Sequence, residues 1–320
     1  MKRNKTRQTK KADAILTADI HLSDATPVSR TDDYQEAQRK KLAFLCELQV
    51  KHDCPVLDAG DIFNHWKASP WLLSQAYQWL PKPMITIPGN HDLPEHSMRQ
   101  YEKSGLAFLE NIEGRLDVLH TNGKEGASLL RSSGHPLQVF GLPYGCYTRE
   151  QIPSTESWPK SSRNILIIHE MVWPGTKPPW PGAEGYPAKQ ILKDNPEFDL
   201  ILCGHNHMAF TEEYKGRLLV NPGSMMRISA DKADYKPRCY LYYADTNTVD
   251  PVYYPIEPNV HDTSHLDQVK DRDKRLSAYI ERMNMEWEAG LSFQGNLEAF
   301  FQKNKTPAKV KELIYSTMEK

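Results

Sequence analysis

Candidate metal ligands recur along this chain at the ends of short apolar runs. Between residues 14 and 224, such runs lead into turns that carry seven residues of metal-binding type: Asp19, His21, Asp61, Asn90, His169, His205 and His207. Carboxylate, amide oxygen and imidazole suit metals such as Mn and Fe, whereas a soft site would need Cys at these positions. Two ions about 3.5–4 Å apart need a shared anionic ligand, and Asp61 suits that role. The pattern predicts a two-metal hydrolase with a metal-bound hydroxide as nucleophile.

The two residues after Asn90 are the candidate catalytic pair. His91, beside the metals, is suited to protonate a departing alkoxide, and Asp92 could orient its imidazole and raise its basicity. Three further side chains near these motifs are candidate contacts to a substrate phosphate: His65, His96 and Arg227. A satisfied polar group in a loop for each of the two histidines and a surface salt bridge for Arg227 remain the alternatives.

The elements that must position these residues alternate along residues 12–258. Short β-like runs are separated by helical stretches such as residues 33–51 and 69–80. This alternation is typical of an α/β architecture, in which ligands collect on loops at strand ends. Residues 173–187 are rich in Pro and Gly and predict an irregular loop. Its Trp173 and Trp180 could either stack on nucleobases or pack the loop together.

Composition limits the class of protein. The chain has 320 residues, of which 39% are hydrophobic and 25% charged, as in ordinary globular proteins. It contains no run of about 18 apolar residues and no secretory signal, so neither a membrane anchor nor export is expected, and the expected location is the cytoplasm. Five cysteines without a CxxC pair argue against a disulfide framework or a structural zinc site.

Changes in pattern predict three segments. Residues 1–11 carry six basic residues and no acidic one, which predicts a flexible basic arm that either contacts nucleic acid or only aids solubility. Residues 12–260 form the domain that carries the candidate site. Residues 261–320 have a helical pattern and form a small extension, which either packs as a cap or docks onto a partner.

The ordered motifs resemble the calcineurin-like metallophosphoesterase superfamily over about residues 14–224. These motifs are D-x-H at 19–21, GD at 60–61, GNHD at 89–92, His169 and GHNH at 204–207. The resemblance implies an α/β fold in which two mixed β-sheets pack as a sandwich flanked by helices. It also implies one ion held by Asp19, His21, Asp61 and His207, and a second held by Asp61, Asn90, His169 and His205. His91 would be the general acid.

Residues 59–73, with the sequence AGDIFNHWKASPWLL, resemble the DNA double-strand-break repair nucleases of the SbcCD nuclease-subunit type. This resemblance implies a DNA exo- or endonuclease with two divalent ions, manganese first and iron, magnesium or zinc as alternatives. DNA, a coiled-coil ATPase subunit and a second copy of the chain are the implied partners. Two other functions stay open: a phosphodiesterase or phosphatase for a small nucleotide or phosphoprotein, and a noncatalytic scaffold that binds DNA ends or a partner.

Overall fold

The computed structural model describes residues 10–120, 127–131, 136–152, 158–180, 182–262 and 293–318. The chain divides into two compact units, residues 1–261 and residues 262–320. Within the described residues, no helix combines the length and the apolar character needed to cross a bilayer.

One mixed sheet of the first unit contains the amino-terminal strands. Its six strands are β1 (Ala14–Thr17), β2 (Val56–Asp58), β3 (Met84–Thr86), β4 (Asp117–Val118), β13 (Arg238–Tyr243) and β14 (Thr248–Tyr253). They lie in the order β14-β13-β1-β2-β3-β4. The strands β1 to β4 are parallel, while β13 runs antiparallel to both of its neighbours. The carboxyl ends of β1, β2 and β3 therefore meet at one edge.

The other mixed sheet contains the middle of the chain. Its six strands are β5 (Ala127–Arg131), β6 (Pro136–Leu142), β7 (Arg163–His169), β10 (Leu200–Gly204), β11 (Phe210–Tyr214) and β12 (Arg217–Asn221). They lie in the order β11-β12-β10-β7-β6-β5. The four central strands are parallel, and the two edge strands are antiparallel to their neighbours. The carboxyl ends of β7 and β10 are adjacent.

Among the described residues of the first unit, four α-helices flank the sheets: α1 (Tyr34–His52), α2 (Pro70–Trp79), α3 (Gly105–Glu110) and α4 (Ala188–Asp194). Short 3-10 turns occur at Pro94–His96, Met98–Lys103, Arg149–Gln151 and Ala230–Lys232. The helices predicted over 33–51 and 69–80 agree with α1 and α2 to within a residue at each end. The side chains of Asp33 and Ser69 accept hydrogen bonds from backbone N–H groups of the first turns, as N-caps do.

The apolar core has three layers. Between the sheets, Leu16, Leu57 and Ile85 of one sheet belong to the same buried cluster as Val139, Ile165 and Leu202 of the other. A second cluster joins the outer face of the first sheet to α1, α2 and α3, and a third joins the outer face of the second sheet to α4. Strands buried on both faces are apolar at successive positions, as in ILII of β7. The predicted α/β sandwich of two mixed sheets flanked by helices is confirmed.

The loop predicted over residues 173–187 contains some regular pairing. The strands β8 (Val172–Trp173) and β9 (Tyr186–Pro187) pair in parallel and bring the two ends of the stretch together. Trp173 is buried, whereas Trp180 is exposed. The packing alternative therefore describes Trp173, while the stacking alternative stays open for Trp180.

The second unit contains two described helices, α5 (Phe293–Lys303) and α6 (Ala308–Met318). The rings of Phe301 and Tyr315 lie 5.8 Å apart and join these helices. The rest of the predicted helical pattern, residues 263–292, lies outside the described residues. Residues 1–9 of the predicted basic arm also lie outside them, and Lys10 pairs with Asp245 at 2.8 Å.

Candidate metal centre

The candidate ligands lie at the strand ends that meet at one edge of the sandwich. Asp19 and His21 follow β1, Asp61 follows β2 and Asn90 follows β3. His169 is the last residue of β7 and pairs in register with Gly204, directly before His205. Backbone hydrogen bonds join the first two loops, from Asp19 N to Gly60 O and from His21 N to Asp61 O.

The ligand atoms form three overlapping groups. In each group, every residue offers one ligand atom, and these atoms all lie within 4.8 Å of one another. The first group is Asp19, His21 and His207, the second is His21, Asp61 and His91, and the third is Asp61, His169 and His205. Asp61 Oδ2 lies 3.7 Å from His21 Nε2 and 3.3 Å from His169 Nε2. Asp61 thus touches both halves of the cluster, as a bridging ligand must.

Asn90 belongs to the half that contains His169 and His205. Its Oδ1 atom lies 3.0 Å from His169 Nε2 and 2.8 Å from His205 Nδ1. An amide oxygen between two imidazole nitrogens places three atoms of metal-binding type around one point. All seven predicted ligand residues are therefore brought together by the fold.

The backbone at these positions is strained. Four of the ligand residues have positive φ: Asp19 (50°), His21 (51°), Asp61 (58°) and His205 (74°). Such conformations are uncommon for residues other than Gly and cluster at functional sites. Gly89 allows its loop to approach closely, because a Cβ there would lie 2.2 Å from Asp61 Oδ1. Gly89 is thereby packed directly against Asp61.

Burial and charge determine the protonation of the cluster. Burial lowers the pKa of His21 to about 3 and those of His205 and His207 to about 4, so these imidazoles are neutral. Burial opposes protonation of His169 as well, but the Asp61 carboxylate outweighs it and raises the pKa of His169 to about 10. The same ion pair, against the effect of burial, lowers the pKa of Asp61. Burial raises the pKa of Asp19 to about 7.

These donors fit divalent cations. Asp61 Oδ2 is buried among the imidazoles of the cluster and has no hydrogen-bond partner among the described residues, and the same is true of the buried Asp19 Oδ2, so two carboxylate oxygens are left for a cation. The Nε2 atoms of His21 and His207 lie 3.0 Å apart, and neutral imidazole is the metal-binding form. Hard oxygen and imidazole donors without a thiolate suit Mn, Fe, Mg or Zn.

His91 belongs to the second of the three groups of ligand atoms and is partly exposed. Its ring stands edge-on to the His21 ring, with centroids 4.8 Å apart, and its backbone N–H donates to Asp61 Oδ1 at 2.8 Å. Its Nδ1 lies 2.8 Å from the carbonyl oxygen of Asn64, which can only accept. Nδ1 therefore carries a proton, and Nε2 is the atom available for proton transfer.

Comparison with known proteins identifies the family. A sequence model of the calcineurin-like phosphoesterase family matches residues 14–209, more than half of the chain. The chain belongs to this family. The match contains all of the candidate ligands, and members of the family typically bind divalent metals. The divalent-cation chemistry inferred from the donors is therefore that of the family.

The phosphoesterase is also similar to two curated proteins, both described as DNA double-strand break repair protein Mre11. The one from Saccharolobus solfataricus is 26% identical over 168 residues, which are 48% of this chain and 41% of the relative. The one from Archaeoglobus fulgidus is 21% identical over 231 residues, 68% of this chain and 50% of the relative. The chain thus spans half or less of the length of these relatives.

Among solved structures, a putative 5'-nucleotidase from Staphylococcus aureus is similar at 12% identity. The similarity covers 78% of this chain and 55% of that one, with a TM-score of 0.47.

In this phosphoesterase, the role of Asp92 differs from the predicted one of orienting His91. Its buried carboxylate accepts hydrogen bonds from the backbone N–H groups of Phe63 (3.0 Å), Gly89 (3.1 Å) and Ile62 (3.2 Å). The His91 imidazole is instead held by the carbonyl of Asn64. The prediction that Asp92 orients His91 is therefore corrected: Asp92 joins the loop after β2 to the GNHD loop.

The three predicted phosphate contacts lie in different surroundings. His65 is exposed, and its Nδ1 accepts from the N–H of Lys67 at 3.1 Å. His96 Nδ1 donates to the carbonyl of Asn90 at 2.9 Å, so His96 supports a ligand loop. Arg227 is buried and donates to the carbonyls of Ala233 and Glu257. A phosphate role stays a prediction for the two histidines, whereas Arg227 is corrected to a structural donor.

Tyr144 is a site residue that the motifs did not indicate. Its ring centroid lies 5.5 Å from that of His205 and 6.1 Å from that of His169. It follows the end of β6, next to β7, and its N–H donates to Pro88 O. The signal that could have identified it is its place after a strand, which it shares with the ligands.

Proposed function

We propose that this phosphoesterase is a two-metal phosphodiesterase that cleaves DNA. The observation that carries the phosphodiesterase part is the convergence of carboxylate, amide and imidazole groups around Asp61, with the partly exposed His91 beside them. The DNA part is supported by sequence similarity.

The proposed ligand sets follow the two halves of the cluster. Asp19, His21 and His207 would hold one ion, and Asn90, His169 and His205 the other, with Asp61 shared. Divalent ions bound there would neutralise charge on the phosphoryl oxygens and acidify a water molecule. Manganese is the metal we propose, because metals of the Mn and Fe type accept carboxylate, amide oxygen and imidazole together; iron, magnesium and zinc are the alternatives.

His91 is proposed as the general acid. The Asn64 carbonyl accepts from Nδ1–H in both protonation states of the ring, so the exchangeable proton is on Nε2. When protonated, His91 gives this proton to the departing oxygen of the phosphodiester. The bond from its backbone N–H to Asp61 fixes the start of the side chain relative to the metal ligands.

DNA is proposed as the substrate because both curated relatives carry the name of a DNA double-strand break repair protein. The segment AGDIFNHWKASPWLL at residues 59–73 supports the same choice, because it resembles the DNA double-strand-break repair nucleases. A coiled-coil ATPase subunit and a second copy of the chain stay predictions as partners.

A nuclease assay tests this proposal. End-labelled single- and double-stranded DNA is incubated with wild-type protein in Mn, Mg or EDTA, with bis-p-nitrophenyl phosphate alongside. His91→Ala is the test variant. His120→Ala is a matched control, because His120 pairs with Glu110 away from the cluster.

We expect Mn-dependent DNA cleavage. Metal-loaded His91→Ala should keep its metal and lose turnover by about 100-fold or more, as is usual for a general acid. Full turnover in that variant would remove the acid role. Cleavage of the small diester with DNA left intact would move the substrate to a small phosphodiester, and failure of every combination would favour the noncatalytic scaffold.

A further inference from the structure

One aromatic ring of the second sheet is surrounded by four cations. The ring of Tyr214 lies 5.5–5.7 Å from Lys189 Nζ, Lys193 Nζ, Lys215 Nζ and Arg217 Cζ. These distances are within the range of cation–π attraction. We refer to these five residues as the Tyr214 patch. The three lysines are exposed, whereas Tyr214 and Arg217 are partly buried.

Nearby carboxylates do not neutralise the Tyr214 patch. Glu197 pairs with Arg149, and Asp199 pairs with Arg163. Within the described part of the chain, none of the four cations is ion-paired with a carboxylate. Glu212 lies on the same face of β11 as Tyr214, and Asp194 follows Lys193 at the end of α4, so four cations and two anions leave a net charge of two. On a chain whose net charge is -1, this is a local concentration of positive charge.

Paired strands connect the elements that carry the Tyr214 patch to the strands that carry the metal ligands. Lys189 and Lys193 are on α4, which begins directly after β9, and β9 pairs with β8 just beyond His169. Arg217 begins β12, and Asn221 ends this strand beside the end of β10 that leads into His205. Because β12 is parallel to β10, Arg217 lies at the opposite end of the strands from the metal ligands, about 13 Å along β12 from the edge that carries them. That span is about four base-pair rises of a duplex.

We infer that the Tyr214 patch binds the phosphodiester backbone of the nucleic acid whose scissile phosphate lies at the metal centre. This inference rests on the proposed DNA substrate and adds a second contact to it. Exposed Lys side chains neutralise backbone phosphates without regard to sequence. Arg217 is the anchor of the patch, because it also donates to the carbonyl of Asn195 at 3.1 Å.

The test measures binding without cleavage. Anisotropy of a fluorescein-labelled duplex is titrated in EDTA at several salt concentrations, with the variant Lys189→Ala/Lys193→Ala/Lys215→Ala. A conservative variant changes the same three lysines to Arg. A matched control changes three other exposed lysines to Ala: Lys51, Lys82 and Lys160. Arg217 stays unchanged because its carbonyl contact is structural, and thermal melting checks that each variant is folded.

We expect the Ala variant to reduce the slope of log K against log salt by about 2.7, at 0.9 for each phosphate contact. Its affinity at low salt should fall by about 10-fold or more, while the Arg variant retains wild-type binding. A slope equal to that of the control variant would overturn the inference.

The proposed function is tested separately by wild-type hydrolysis of bis-p-nitrophenyl phosphate in Mn. Hydrolysis of the diester without any duplex binding would refute the patch and leave the phosphodiesterase standing. Duplex binding that depends on the patch without hydrolysis would refute the proposed enzyme and leave the nucleic-acid surface standing.

Discussion

Replacing Asp92 tests the structural role that the fold gives to this carboxylate. Asp92 is fully buried and accepts three backbone N–H groups, two at Oδ2 and one at Oδ1. In Asp92→Asn, one acceptor atom becomes an amide nitrogen, so at least one N–H group loses its partner. An unpaired buried N–H costs about 1–3 kcal/mol, and bonds to an ionised acceptor contribute about 1.5–3 kcal/mol each.

We expect Asp92→Asn to lower the free energy of unfolding by about 2–4 kcal/mol. Burial, and after it repulsion by Asp61, raises the pKa of Asp92 to about 7. Unfolding is therefore measured at about pH 9, where Asp92 is ionised. Relief of this burial cost in the Asn variant offsets part of the loss. The assay is urea unfolding in EDTA, so that metal binding does not contribute. Asp24→Asn is the control, because Asp24 is exposed and an ordinary surface substitution changes stability by less than about 0.5 kcal/mol. An Asp92→Asn variant as stable as this control would refute the reasoning.

The catalytic behaviour of the same variant separates the two roles considered for Asp92. If Asp92 only joins loops, folded and metal-loaded Asp92→Asn should keep the pH dependence of kcat, because Asn64 orients His91. A clear shift in the limb of the pH profile that reports His91 would instead support the role predicted from the sequence.

Two further predictions concern buried cations. Arg115 donates to four carbonyls at the end of α2, so Arg115→Met should lower stability by about 2–5 kcal/mol in urea unfolding. The exposed Arg39→Met is its control, and equal effects would contradict the prediction. Burial lowers the pKa of Lys41 to about 7 in the folded protein. Between about pH 7 and 10 Lys41 is therefore neutral when folded and charged when unfolded, so unfolding takes up a proton. The stability of the wild-type protein rises with pH over this range. The stability of Lys41→Met relative to wild type should therefore fall by about 2–4 kcal/mol from pH 6 to pH 10, whereas a constant difference would contradict this.

The sandwich and the grouping of the ligands could be predicted because both follow from local pattern. Parallel strands such as β7 and β10 have their carboxyl ends at one edge, so a His at the end of each run implies proximity. The D-x-H, GD and GNHD motifs have the same property in the first sheet. Caps at Asp33 and Ser69 also depend only on neighbouring residues, and the helix boundaries were accordingly close.

Features that depend on distant parts of the chain could not be predicted. The role of Asp92 is determined by N–H groups about 30 residues earlier as well as by its own loop. Arg227 turns away from the site because the carbonyl of Glu257 accepts from it. Tyr144 reaches the ligands only through the order of β6 beside β7, and the Tyr214 patch requires α4 to pack on β11.

The most direct test of the account is the number of divalent ions bound when Asp61 is present and when it is not. Metal-free wild-type protein and Asp61→Ala are loaded with Mn, dialysed and analysed for metal content and electron paramagnetic resonance. We predict two ions per wild-type chain with a spin-coupled signal, and loss of the coupled pair in Asp61→Ala, because Asp61 is the residue shared by both halves of the cluster. A wild-type chain that binds fewer than two ions, or an Asp61→Ala variant that keeps the coupled pair, would contradict the two-metal centre.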